Sequence, residues 1–485
     1  MIADRPHPTA SRLLLLALAL GLIVPLQLAA AARAAAAGTS LDVRAFGARG
    51  DATSDDTAAF QAAVDRAAEI KGTVHVPAGR YLVGSIELPS HIAIEGEGDA
   101  SVLTLRPQPL AHEGRSPLRP GHMFLPKAMN AVAAVEDVRI SRLTLLGNSR
   151  AQNNGRPMPL SGAIHGIAIL GGKGWTVDHV RAEDFDGDGI YLGANTVYPG
   201  AIDIGNGKLR WPHGQSPDGQ PMAVGNLIEN NIVRGNLRNG MMIAHGDGNV
   251  LRNNLFERNQ IGIVCEPRPA KGEPCATPDS FPKYSPAVYE SAEIDLEPNR
   301  IKMRPGEPVI WQQVTNTLIE GNTFRDGPRM AIQIVKGDAE ISGNKIVRNT
   351  FVDNAAGGIL IFAPGATRNI IADNDFSWKD ATHLPWILRI HGGNGNRIVG
   401  NRFRGERPAG GRVVQLEPGT RLRTTRCTIF ADNVIDVAAL PSTALVSVDS
   451  TLADTIVSGN RFLRGGTIDI AASSRLSGDA SACNQ

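Results

Sequence analysis

Through the middle of the chain, aliphatic and polar residues alternate by two in short Val/Ile/Leu-rich runs broken by Gly and Asn, as in Ile190-Tyr191-Leu192, Ile332-Gln333-Ile334 and Leu388-Arg389-Ile390. Side chains on a strand point to opposite faces in turn, so this pattern predicts strands; helices would repeat every 3.6 residues. An asparagine before an apolar residue recurs at Asn231, Asn254, Asn322, Asn349, Asn374, Asn401, Asn433 and Asn460, at intervals of 23, 68, 27, 25, 27, 32 and 27 residues. A period in the mid-twenties made of short strands is one coil of a parallel β-helix, and the interval of 68 marks an insertion. Asparagines stacked at an inward turn can hydrogen-bond to one another and to the backbone, which satisfies polar groups inside the coil. The predicted fold class is therefore all-β, a right-handed parallel β-helix over residues 38–485. Its repeating coils run from 130 to 465, with insertions at about 196–224 and 266–291.

One segment breaks the strand pattern. Ser54 to Ala68 reads as a helix whose Phe60, Ala63, Val64 and Ala67 form a single apolar stripe. The open end of a coil exposes core and strand edges, so this helix is expected to cap the N-terminal end. Asp55, Asp56 and the neighbouring hydroxyls suit a helix N-terminus.

The stretch Asp42-Val43-Arg44-Ala45-Phe46-Gly47-Ala48-Arg49-Gly50-Asp51, then Asp55-Asp56-Thr57, then Gly72-Thr73-Val74-His75-Val76-Pro77-Ala78-Gly79-Arg80-Tyr81 resembles the entry module of the pectate-lyase superfamily. The likeness covers about residues 41–100 and implies a β-helix with a carbohydrate ligand. It does not select a reaction. Of the signatures of polygalacturonase-like hydrolases, only Arg300-Ile301-Lys302 occurs. Trp175-Thr176-Val177-Asp178-His179 is similar to the Trp-Ile-Asp-His of pectate lyases, without the Arg-x-Pro-x-x-Arg that should follow. His179 falls beside Asn230 when coils are aligned, and so reads as a turn residue. The Tyr-Gly-Phe-Asp-Pro-His-Glu stretch of mannuronan epimerases is absent.

Composition adds limits. With 485 residues, 42% hydrophobic and 20% charged, the chain can bury a large core and is neither disordered nor membrane-embedded by composition. A net charge of +1 gives no sign of nucleic-acid binding. Arg5 and Arg12, an apolar run from Leu13 to Leu26 and small residues to Ala34 predict a signal peptide over residues 1–37, hence a periplasmic or secreted protein with no membrane segment once it is removed. Export permits disulfides among Cys265, Cys275, Cys427 and Cys483; Cys265 with Cys275 and Cys427 with Cys483 are the expected bridges among three possible pairings. No Cys-x-x-Cys pair suggests zinc.

Candidate chemistry lies on the outer face. Aligning the strands after the Asn turns puts Tyr191, Met242, Asp295, Gln333, Arg389 and Gln415 in one outward column, with Glu297, His391 and Glu417 two residues further on the same face. Asp184, Asp186 and Asp188 alternate just before the first of these strands and, if extended, face solvent together; a neighbouring turn supplies Arg238, His245 and Asp247. Coils lie ~4.8 Å apart, so carboxylates on nearby rungs approach the spacings of glycoside hydrolases. Like charges that close raise one pKa and leave an acid beside a base. Asp186, Asp188, Asp295 and Glu297 are the candidate acid and base, with His245 as a further catalytic candidate. Asp184, Tyr191, Arg238, Lys336, Arg389, His391 and Trp211 are expected to bind substrate. A lyase or epimerase would need cations or Ca²⁺ to neutralise a uronate, and the three aspartates are the candidate Ca²⁺ ligands. No organic cofactor is expected. Aromatic residues in the insertions, Tyr198 and Trp211 in one and Phe281, Tyr284 and Tyr289 in the other, suit stacking on sugar rings. The leading expectation is an exported enzyme that hydrolyses an acidic polysaccharide; a polysaccharide lyase, a uronan epimerase and a non-catalytic glycan-binding protein are the alternatives.

Overall fold

The computed structural model describes residues 39–470 apart from 108–120, 128–133, 150, 153–163, 195–201, 204–208, 211–221, 261–291, 299, 302–309, 336–338, 381–383, 419–424 and 450–451. The chain winds into a right-handed parallel β-helix. In a typical coil, two three-residue strands flank an Asn turn, as Leu227–Glu229 and Ile232–Arg234 do. Each pairs in parallel with its counterpart one coil away, Val250–Arg252 and Leu255–Glu257, so two adjacent stacks run along the molecule. A third stack holds twelve described strands, from Ile86–Leu88 to Thr467–Ile470. A short fourth stack runs from Ala223–Val224 to Ala366–Thr367.

The asparagine ladder forms where the repeat predicts it. Each backbone N–H donates to the side-chain oxygen of the next asparagine, from Asn231 through Asn254, Asn322, Asn349, Asn374, Asn401 and Asn433 to Asn460, at 2.9–3.1 Å. Asn254 bonds Asn322 directly, so the interval of 68 is one coil carrying an insertion. Inside, Phe256, Phe324, Phe351, Phe376 and Phe403 stack ring on ring with centroids 4.4–5.2 Å apart. The coil rise imposes this face-to-face order, since identical positions recur at nearly one ring spacing.

The capping helix α1 spans Thr57–Ile70, and Phe60, Ala63, Val64 and Ala67 are wholly buried against the first coil. It starts three residues later than expected because its acids are engaged elsewhere. Asp51–Asp55 is a strand, and Asp56 accepts from the backbone N–H groups of Arg49 and Gly50 at 2.7 and 3.1 Å. Gly50 has φ +63° with the Tyr81 ring against it; an added Cβ would lie 2.8 Å from Tyr81 Cε1, so only glycine fits.

A second ladder, Asn236 to Asn259, continues into a glutamate. Glu293 is fully buried and accepts from both the backbone N–H and the side-chain amide of Asn259. It takes the place of an asparagine because Gly327, the residue bonded to Asn354 one rung on, has no side chain to offer. Burial pushes the Glu293 carboxyl up to about 8. The folded protein thus holds a proton there that the unfolded chain releases near 4.5, so stability falls as pH rises from about 4.5 through about 8. Glu293→Gln keeps the neutral shape. It should remove one proton's worth of this slope, about 1.4 kcal/mol per pH unit, in urea unfolding measured at several pH values. An unchanged slope would show that Glu293 is not the titrating group.

Candidate functional site

The outer column of the third stack follows the register expected for it. Ala168, Tyr191, Met242, Asp295 and Gln333 are successive partners, followed by Leu360, Arg389, Gln415 and Ser447. Leu360 is a rung the alternation of polar residues did not reveal, so Arg389 stands three coil steps from Asp295. The column two residues further holds Ala244, Glu297, Val335, Phe362, His391 and Glu417.

A third polar ladder sets the near edge of the site. His165 N–H donates to His122 Nδ1 at 3.1 Å, Asp188 N–H to His165 Nδ1 at 3.0 Å, Asn239 N–H to Asp188 Oδ1 at 3.0 Å and Ala292 N–H to Asn239 Oδ1 at 2.8 Å. Each ladder residue sits two before its strand, so coil after coil the same backbone N–H finds a side-chain acceptor. Because His165 Nδ1 accepts, the neutral ring carries its proton on Nε2. The His122, His165 and Tyr191 rings stack at 4.7 Å spacings. Burial holds both histidines well below the usual imidazole range, helped for His165 by the charge on Arg238. His122 and His165 were missed in the sequence. Their signal, a polar residue two before each strand, was hidden by the change of residue type from His to Asp to Asn.

Arg238 ties this edge to the outer column. Its Nη1 lies 3.5 Å from Asp188 Oδ2 and its Nη2 3.6 Å from Glu297 Oε2, and Nη2 donates to Met242 Sδ at 3.2 Å. Asp295 is wholly buried, with the buried Gln333 amide and the Glu297 carboxyl as its side-chain neighbours. Burial and then the negative charge of Glu297 push Asp295 well above the usual carboxylate range, against the pull of Arg238. Asp188 is raised too, by burial, with Arg238 and the Asn239 N–H opposing it. The arrangement therefore offers a buried carboxyl pressed toward its neutral form, a second carboxyl group two residues away on the same strand face, and one guanidinium between them and Asp188.

Several expectations are corrected. Asp184, Asp186 and Asp188 do not face solvent together. Asp184 has φ +57°, which breaks the extended run, and its carboxylate is bonded to Ser149; Asp186 and Asp188 are buried. The three cannot share one cation, and among the described residues no group of three or more His, Cys, Asp or Glu is placed to hold a metal ion. Asp188 spends Oδ1 on the ladder, so it supports the site instead of standing in a groove. His245 lies in the turn toward the fourth stack, where its Nδ1 accepts from the Gln313 N–H at 3.1 Å; Asp247 beside it takes Thr315 and Asn316. Arg389 and His391 belong to a separate group with Glu417, three rungs away from Asp295. His179 has φ +53°, matching Asn230 at +56°, which fits the turn role. Cys427 is disulfide-bonded. Lys336, Trp211, Tyr198, Phe281, Tyr284, Tyr289, Cys265, Cys275, Cys483 and the signal-peptide segment lie outside the described residues, as do the Arg300 and Lys302 side chains. No helix among the described residues is long and apolar enough to cross a membrane.

The Asn ladders and stacked parallel sheets make this a right-handed parallel β-helix protein with a buried carboxyl cluster on its third stack. The family model for rhamnogalacturonase A/epimerase, pectate lyase-like proteins matches residues 40–116, and that for the periplasmic copper-binding protein NosD matches residues 283–383. Mannuronan C5-epimerase AlgE3 of Azotobacter vinelandii is 54% identical over 55 residues, which is 11% of this chain and 3% of that protein. An exopolygalacturonase of Arabidopsis thaliana is 38% identical over 78 residues, 14% of this chain and 18% of that one, so the chain spans less than a fifth of these curated relatives. The solved A-module of mannuronan C5-epimerase AlgE4 from Azotobacter vinelandii superposes with a TM-score of 0.55 at 17% identity, over 91% of this chain and 100% of that one, a likeness of fold. The chain has the fold of the parallel β-helix proteins, and over residues 40–116 its sequence is similar to the rhamnogalacturonase A/epimerase, pectate lyase-like family.

Proposed function

We propose that this protein is an exported enzyme that hydrolyses an acidic polysaccharide, with Asp295 as the proton donor to the leaving glycosidic oxygen. The observation that carries this reading is the place of Asp295: fully buried between Glu297 and Gln333, with burial and then the charge of Glu297 favouring its protonated form. Two carboxyls set this close push one toward its neutral form and leave the other ionised, the pairing that a general acid and a base require. Glu297, on the same face, is the companion base that would activate water, with Arg238 holding its orientation. The relatives named above include an enzyme of mannuronan and one of polygalacturonan, both uronic-acid polymers, which supports an acidic chain as substrate. The N-terminal apolar segment supports export.

A second reading rests on Tyr191, which stacks on neutral His165 and lies within the field of Arg238. As a phenolate, Tyr191 would take the proton beside a uronate carboxyl and become the neutral phenol, as elimination or epimerisation requires. Incubation with mannuronan and with polygalacturonate separates the readings. Hydrolysis should release reducing ends without ultraviolet absorbance. Absorbance of an unsaturated uronate would indicate a lyase, and a changed sugar composition without chain shortening an epimerase. Binding without any of these would leave a non-catalytic glycan binder.

A further inference from the structure

Along the outer column, every side chain from Ala168 to Leu360 is buried, and Arg389 is the first to reach solvent. Beside it the surface changes character. Phe362 is 45% exposed, the one aromatic among the large exposed hydrophobics of the described residues, and its ring meets His391 edge-on at 4.5 Å. Arg389 donates from Nε and Nη2 to Glu417 Oε2 at 3.0 and 2.7 Å, and its Nη2 lies 3.5 Å from His391 Nδ1. Register holds the four residues on adjacent rungs, Phe362 beside His391 and His391 beside Glu417.

These features answer the two faces of a sugar ring. An exposed aromatic face packs against apolar C–H surface. A guanidinium locked to a carboxylate is close to neutral as a pair, so it lacks a free cation for a uronate. It still presents N–H donors beside acceptor lone pairs, the match for neighbouring hydroxyls. We propose that Phe362, Arg389, His391 and Glu417 form an outer subsite that stacks one sugar ring on Phe362 and reads its hydroxyls through the Arg389–Glu417 pair. Three coil steps separate it from Asp295, about 14 Å, so the protein grips a chain several sugars long and the outer sugar is selected by hydroxyls, not by charge. The inference rests on the polysaccharide reading above and deepens it.

Titration calorimetry with dimers and hexamers of mannuronate and of galacturonate tests the subsite, using wild type, Phe362→Ala and Phe362→Tyr. Phe362→Ala should weaken hexamer binding about tenfold while leaving the dimer unchanged, and Phe362→Tyr should restore it. The tenfold ratio should be the same at low and high salt, since no unpaired charge is involved. Binding is read without cleavage, so a hexamer that binds but is not cut removes the hydrolase reading and leaves the subsite standing. Equal hexamer binding by Phe362→Ala and wild type, equal loss for both lengths, or no hexamer bound by wild type would each overturn it.

Discussion

Asp295→Asn is expected to lower turnover on the cleaved polymer by about 10²- to 10⁴-fold, the range for loss of a positioned acid, with substrate affinity nearly unchanged. The amide keeps the size and polarity of the neutral carboxyl but cannot deliver the proton. Stability should move in the opposite direction to activity. Asp295 in the folded protein is pushed well above its ordinary range, whereas in the unfolded chain it titrates near 3.8. A raised folded pKa means that its contribution is whole below about 3.8 and is lost as pH rises through the folded value. Asparagine has no such penalty, so the variant should unfold at an equal or higher temperature at neutral pH, and more so as pH rises. The same shift sets the rate profile: the acid form must be present, and wild-type turnover should fall on the alkaline side as Asp295 ionises. A variant that keeps full turnover would remove Asp295 from the chemistry, whatever its effect on stability.

How much of this could be seen in the sequence depends on whether the responsible residues repeat. The long ladder was legible because Asn231 and its successors keep both residue type and spacing, and each occupies the same turn. The outer column was legible because Tyr191, Asp295, Gln333 and Arg389 each sit between two aliphatics that must point inward. Leu360 escaped for the converse reason, since Ile359-Leu360-Ile361 is apolar throughout and marks no face. The ladder of His122, His165, Asp188 and Asn239 was not legible, because a backbone N–H can donate to any of these side chains and the position need not keep one residue type. The aspartate triplet misled because alternation implies a shared face only in extended chain, and the left-handed turn at Asp184 ends the strand before Asp186. Arg238 could be listed from its turn, but not its bridge between Asp188 and Glu297, which come from coils on either side.

That bridge makes Arg238→Met the most damaging single change expected at the outer sheet, with a cost that grows with pH. Methionine retains much of the apolar stem, so what is removed is chiefly the charge, with the Nη2 contact to Met242 Sδ. Breaking a buried ion pair by deleting one partner typically costs about 3–5 kcal/mol, since the opposite charge is left uncompensated in a poor solvent. Here Arg238 lowers both Asp188 and Asp295 against the effect of burial. Without it, each should titrate still further above 3.8 when folded. Protonation relieves the strain at low pH, and ionisation imposes it as pH rises toward the new folded values. Urea unfolding should therefore show a deficit of about 3–5 kcal/mol relative to wild type at pH 8 that shrinks markedly at pH 5. A deficit of equal size at both pH values would assign the loss to packing alone, and the guanidinium would then not be the group that keeps this carboxyl cluster folded.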